Sequence, residues 1–89
     1  MVAHELGHAV DVTHLSEVDR GTWRATRGFG PSTIWFAQGA GASDFATAAG
    51  DFAESFAWIH APTGHWYGQL SAPPDLGESA VLAVISQPG

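Results

Sequence analysis

The chain has 89 residues, enough for one small domain with a thin core, since a chain of this size buries only about 60–65% of its unfolded surface. Hydrophobic residues make up 45% and charged residues 13%, about half the usual charged share, a balance that favours folding over disorder. Nine acids against three arginines and no lysine give a net charge of −6, which excludes a phosphate-tracking surface and with it nucleic acid as a partner.

Cysteine is absent, so disulfide scaffolds, thiolate metal sites and cysteine nucleophiles are excluded as well. No apolar run approaches the roughly 20 residues that span a bilayer. The start of the chain lacks the basic and apolar regions of a signal peptide, and the compartment stays open.

From Val2 to about Leu15, apolar residues stand at 2, 3, 6, 9, 10 and 12, of which 2, 6 and 9 with 3 and 10 follow the i, i+3, i+4, i+7 pattern of an amphipathic helix. It begins without an N-cap residue. Ser16, with Glu17 and Asp19 behind it, starts a second short helix that reaches roughly Arg27 before Gly28-Phe29-Gly30-Pro31 breaks it. Arg20, Arg24 and Arg27 read as a solvated face of that helix, paired locally with Glu17 or Asp19. Residues 28–43 are glycine-rich around Ile34-Trp35-Phe36 and read as loop with room for one short strand. Ala48 to His60 is predicted as a helix with Phe52, Phe56 and Ile59 on one stripe, ended by Pro62 and Gly64. After Pro73-Pro74, the apolar segment Glu78–Ser86 is either helix or buried strand. The aromatics at 23, 35, 52, 56, 58 and 66 are expected in the core.

The first predicted helix carries His4-Glu5-Leu6-Gly7-His8, an H-E-x-x-H. Residues four apart share one helical face, so His4 and His8 can hold one metal ion through their imidazole nitrogens. Glu5, beside the first ligand, can reach a zinc-bound water as general base. At this chain's own His and Glu frequencies the motif arises by chance about once in a hundred such chains, so its helical context has to add weight.

Two imidazoles need a third protein ligand, and Asp11, His14, Glu54, His60 and His65 are the candidates. His14 stands at the spacing of the metzincin pattern, but Asp11 occupies the position of the glycine that turns the chain there; His14 is the minor alternative. Glu54 is the better choice. It lies on the helix of Phe52, Phe56 and Ile59, whose stripe can pack against the first helix. Ala53 and Ala57 opposite Gly7 allow a close approach.

The two segments His4-Glu5-Leu6-Gly7-His8-Ala9-Val10-Asp11 and Asp51-Phe52-Ala53-Glu54-Ser55-Phe56-Ala57 together resemble the gluzincin metallopeptidases. They are most similar to the branch of anthrax-lethal-factor-type catalytic domains and their bacterial relatives, over some 15–20 residues. The resemblance implies zinc ligation by His4, His8 and Glu54 and a general-base role for Glu5. It also implies that Asp11 and Asp51 orient the ligating histidines. Relatives of this kind place an oxyanion-stabilising tyrosine near the third-ligand helix. The sole tyrosine, Tyr67, follows Glu54, with His60 and His65 as alternatives, and that role is open.

The expectation is therefore a mainly α, zincin-like domain over residues 1–89, its active-site helix packed on a second, ligand-bearing helix, with glycine-rich loops and little or no sheet. Such peptidases carry a strand-rich half before the H-E-x-x-H helix, so the chain is expected to be the C-terminal part of a larger catalytic domain. The expected function is zinc-dependent hydrolysis of peptide bonds in a peptide or protein substrate. A truncated, zinc-binding but catalytically silent structural or interaction domain is the alternative, and a metal-free helical interaction module is a third, weaker reading.

Overall fold

The face that the first helix turns inward is polar. In the computed structural model, which describes residues 2–30, 33, 35–36, 47–60 and 66–87, this helix, α1, runs Val2–His14. Its buried positions are His4, Gly7 and Asp11, continued by Leu15 just past its end. Leu6 and Ala9 of the expected apolar stripe are exposed, Leu6 at 54%, and Val10 is half-buried against the core. The periodicity located the helix and misplaced its buried side. The reason is energetic: a polar side chain is tolerated inside when its hydrogen-bonding groups are satisfied there. His4 and Asp11 both find such partners.

The second helix, α2 (Glu17–Thr26), starts with a reciprocal cap in which Ser16 Oγ accepts the Asp19 N–H at 3.1 Å and Asp19 accepts the Ser16 N–H at 3.0 Å. It ends at Arg27, followed by Gly28 at φ +77°, the left-handed region that glycine enters without steric cost. The third, α3 (Ala48–His60), has the expected bounds. Its first N–H groups are met by Thr47 Oγ1, which accepts from Gly50, and by the Trp35 carbonyl, which accepts from Ala49.

The tail segment is helical: α4 spans Leu76–Ile85. Asp75 and Glu78 cap it reciprocally, and this Asp-x-x-Glu signal settles the helix-or-strand alternative. No strand occurs among the described residues. Thr33, Trp35 and Phe36, the described part of the segment with room for one, have no regular structure. Ile34, Pro62, Gly64 and His65 lie outside the described residues.

Helix α1 packs most extensively on α3, and α4 touches both α2 and α3. From Ala48 through Ala57 every residue of α3 is buried, which makes α3 the central helix. Trp23 from α2, Phe52 from α3 and Leu82 from α4 are completely enclosed, with Trp23 edge to face against Phe52 at 5.8 Å. Trp35 and Phe56 complete the aromatic core. Trp58 and Trp66, also expected there, are half-buried and stack edge to face at 6.0 Å.

The α1–α3 contact is made backbone to backbone. A Cβ at Gly7 would lie 2.8 Å from Ala53 Cα, 3.0 Å from its carbonyl oxygen and 3.1 Å from Phe56 Cβ. Gly7→Ala therefore forces the helices apart, with an expected cost of about 1–3 kcal/mol, measurable as a lower urea midpoint. Ser55 contrasts with it. Its side chain is buried and its Oγ has no hydrogen-bond partner. Ser55→Ala removes a polar atom without breaking a bond, and unfolding curves should show stability unchanged or raised by up to about 1 kcal/mol.

Candidate metal centre

Where α1 and α3 approach most closely, their polar side chains meet. His4 on the first turn of α1 and Glu54 in the middle of α3 are 3% and 2% exposed. His4 Nδ1 and Glu54 Oε1 are 2.8 Å apart across a separation of fifty residues. His8, one turn along α1, brings its Nε2 to 3.0 Å from His4 Nε2, the rings edge to face at 4.7 Å. Thus two imidazoles and one carboxylate form a contiguous chain, His8–His4–Glu54. With His4 standing between its two neighbours, no three His, Asp or Glu side chains among the described residues surround a common ion position.

The third-ligand candidates separate clearly. His14 ends α1 and is exposed. Because the helix continues unbroken through Asp11, His14 lies about 9 Å beyond His8 along the axis and does not return toward it. His60 is likewise exposed, six residues beyond Glu54 on α3, and stacks on Phe56 at 4.4 Å. Among the described candidates Glu54 is the one that reaches His4; His65 lies outside the described residues. Glu5 is exposed beside His4. Tyr67 donates its backbone N–H to Glu54 Oε2 at 3.0 Å, while its side chain is exposed.

Asp11 and Asp51, expected to orient the histidines, do something else. Both are fully buried, and each accepts from one tryptophan and one arginine. Asp11 takes the Trp35 indole N–H at 2.7 Å and the Arg20 Nε–H at 3.0 Å. Asp51 takes the Trp23 indole N–H at 3.0 Å and two N–H groups of Arg27, each at 2.9 Å. A histidine N–H offers one donor, whereas a guanidinium fork offers two in matching geometry; Arg27 thus satisfies the Asp51 carboxylate.

The arginines are accordingly not one solvated face. Arg20 does pair with Glu17 at 2.7 Å as expected, but also with Asp11. Arg24 donates to the Thr33 carbonyl and lies over the Trp35 ring at 5.2 Å. Arg27 is buried and further binds Glu78 and the Ala72 carbonyl. Burial alone would lower the Arg27 guanidinium; its hydrogen bonds to Asp51 and the charges of Asp51 and Glu78 outweigh this and hold it above its ordinary value. In sequence, Arg27 differs from a surface arginine only by standing next to the glycine break, and no periodicity marks it as buried.

The two kinds of ion pair give opposite expectations. Asp51→Ala strands a buried guanidinium and an indole N–H, and should lower stability by about 3–5 kcal/mol in denaturant titrations. Glu17→Ala removes a carboxylate that is 79% exposed and should change it by no more than about 1 kcal/mol.

Compared with protein-family models, with curated proteins and with solved structures, the chain shows no match.

Proposed function

We propose that His4, His8 and Glu54 are the ligands of a zinc-dependent metallopeptidase centre of gluzincin type, similar to the anthrax-lethal-factor-type catalytic domains. One observation carries this reading: three side chains of suitable donor chemistry, two of them buried, meet across the most extensive helix–helix contact among the described residues.

Two imidazoles and a carboxylate are donor types that suit zinc, although as placed the three side chains do not surround one position. Two donors of one tetrahedral zinc lie about 3.3 Å apart when each is about 2.0–2.1 Å from the metal, close to the 3.0 Å between the Nε2 atoms. In an imidazole ring Cε1 lies between the two nitrogens. Since Glu54 meets Nδ1 and His8 meets Nε2, the Cε1 edge of His4 faces between them. To hold one ion with both partners the His4 ring would need a half-turn about Cβ–Cγ, which exchanges Cε1 with Nε2 and would aim a nitrogen between Glu54 and His8. Three protein ligands would leave zinc a fourth position for water or substrate, as in catalytic sites of that kind.

Zinc in such a set supplies a Lewis acid that polarises a scissile carbonyl and acidifies water. The chain supplies the rest. His4 and Glu54, enclosed by the α1–α3 contact, would hold the ion in a region from which water is largely excluded. Glu5, exposed at the rim beside His4, takes the proton of the attacking water and passes it to the leaving amine, as a general base and then a general acid. A chain that binds zinc without hydrolysing peptides is the competing reading.

Elemental analysis of identically purified proteins tests the ligand set: about one zinc per chain is expected in the wild type and a marked loss in Glu54→Ala. Glu5→Gln should retain the zinc and lose peptide hydrolysis by about 10²–10⁴-fold. Zinc in neither protein overturns the reading; zinc without hydrolysis in the wild type leaves the silent domain.

A further inference from the structure

Glu54 is held at both oxygens. Oε1 faces His4 Nδ1, and Oε2 accepts the backbone N–H of Tyr67 at 3.0 Å. The segment that delivers this N–H is anchored by the residue on either side of it. Trp66 donates its indole N–H to the Ser71 carbonyl at 2.9 Å, meets Trp58 edge to face, and has the Arg27 guanidinium carbon 5.8 Å from its ring. Trp58 stands one helical turn beyond Glu54, so Trp66 docks on the same face of α3 that carries the carboxylate. At Gly68 a Cβ would lie 2.5 Å from the Trp66 ring. Glycine is therefore what lets the indole fold back over its own chain while Tyr67 faces Glu54 with its main chain.

We infer that Trp66-Tyr67-Gly68 is a backbone clasp whose Tyr67 N–H keeps the Glu54 carboxylate turned toward the histidines. Tyr67 is then a positioning residue through its main chain, and its phenol is not required. This inference rests on the reading of His4, His8 and Glu54 as the zinc set. Glutamate is among the side chains that lose most rotamer freedom when ordered. A carboxylate already turned and bonded to an N–H donor has less freedom left to lose on binding an ion. Oε1 is left as the oxygen that faces the histidines.

Zinc affinity, measured on the full chain by Zn²⁺ competition with a chromophoric chelator, tests the clasp. Tyr67→Ala keeps the N–H and should bind within about twofold of the wild type. Tyr67→Pro removes the N–H, and Gly68→Ala displaces the Trp66 anchor; both should weaken binding about 10–100-fold. Far-UV circular dichroism checks that each variant is helical, and Gly68→Ala carries the test if Tyr67→Pro does not fold. In the metal-free protein, the Tyr67 amide should exchange slowly and become fast in Glu54→Ala.

Tyr67→Pro binding as tightly as the wild type overturns the clasp. So does Tyr67→Ala losing as much affinity as Tyr67→Pro, which would assign the role to the phenol. A Tyr67 amide that responds to Glu54→Ala in a wild-type chain taking up no Zn²⁺ would leave the clasp standing and bring down the zinc reading alone.

Discussion

Gly7 lies so close to Ala53 that no side chain larger than hydrogen fits between the two helices, and most of the polar interior follows from that approach. It brings His4 and His8 on one helix within reach of Glu54 on the other. The helix that carries the histidines accordingly turns His4, Gly7 and Asp11 inward while Leu6 and Val12 remain exposed. A helix built for stability alone would do the reverse. Each buried polar group costs free energy unless it is paired, so this inversion is tolerated only because every inward-facing donor and acceptor of α1 has a counterpart.

Helix α2 supplies part of that compensation and pairs the buried aspartate of α3 as well. Two of its residues and the arginine that caps it, Arg20, Trp23 and Arg27, point at the two buried aspartates, with Trp35 completing the set. Asp11 ties α2 to α1, and Asp51 ties it to α3. Arg27 extends the second tie to Glu78 on α4 and to the Ala72 carbonyl. Each aspartate is thereby a joint between helices rather than a partner of the histidines. For a small domain with a thin hydrophobic core, such charge-assisted joints fix the relative placement of helices that apolar packing alone would hold loosely. The Trp66 clasp belongs to the same arrangement, because the Arg27 guanidinium lies over the Trp66 ring.

The helices were legible in the chain to within a residue or two. Ser16 announced α2, and the stripe of Phe52, Phe56 and Ile59 announced α3, because capping and periodicity are local properties. The tail was ambiguous by periodicity, although Asp75 and Glu78 already spelled its cap. The spacing of His4 and His8 likewise belongs to the helix itself. Glu54 could be singled out because the small residues Gly7, Ala53 and Ala57 advertise a close crossing. Arg27 and the two aspartates could not, since an arginine at the end of a polar helix looks the same whether it meets water or a buried carboxylate.

Helical class and the two segments that carry His4, His8 and Glu54 are thus written in local pattern and composition, which depend only on neighbours in the chain. The inward face of α1, the pairing of Asp11 and Asp51 with arginine and tryptophan, and the hold of Tyr67 on Glu54 arise between residues up to fifty positions apart. Such contacts are chosen by the packing of whole helices. Whether a polar residue is buried depends on the partners it meets there, and those partners are brought together only by the folded chain.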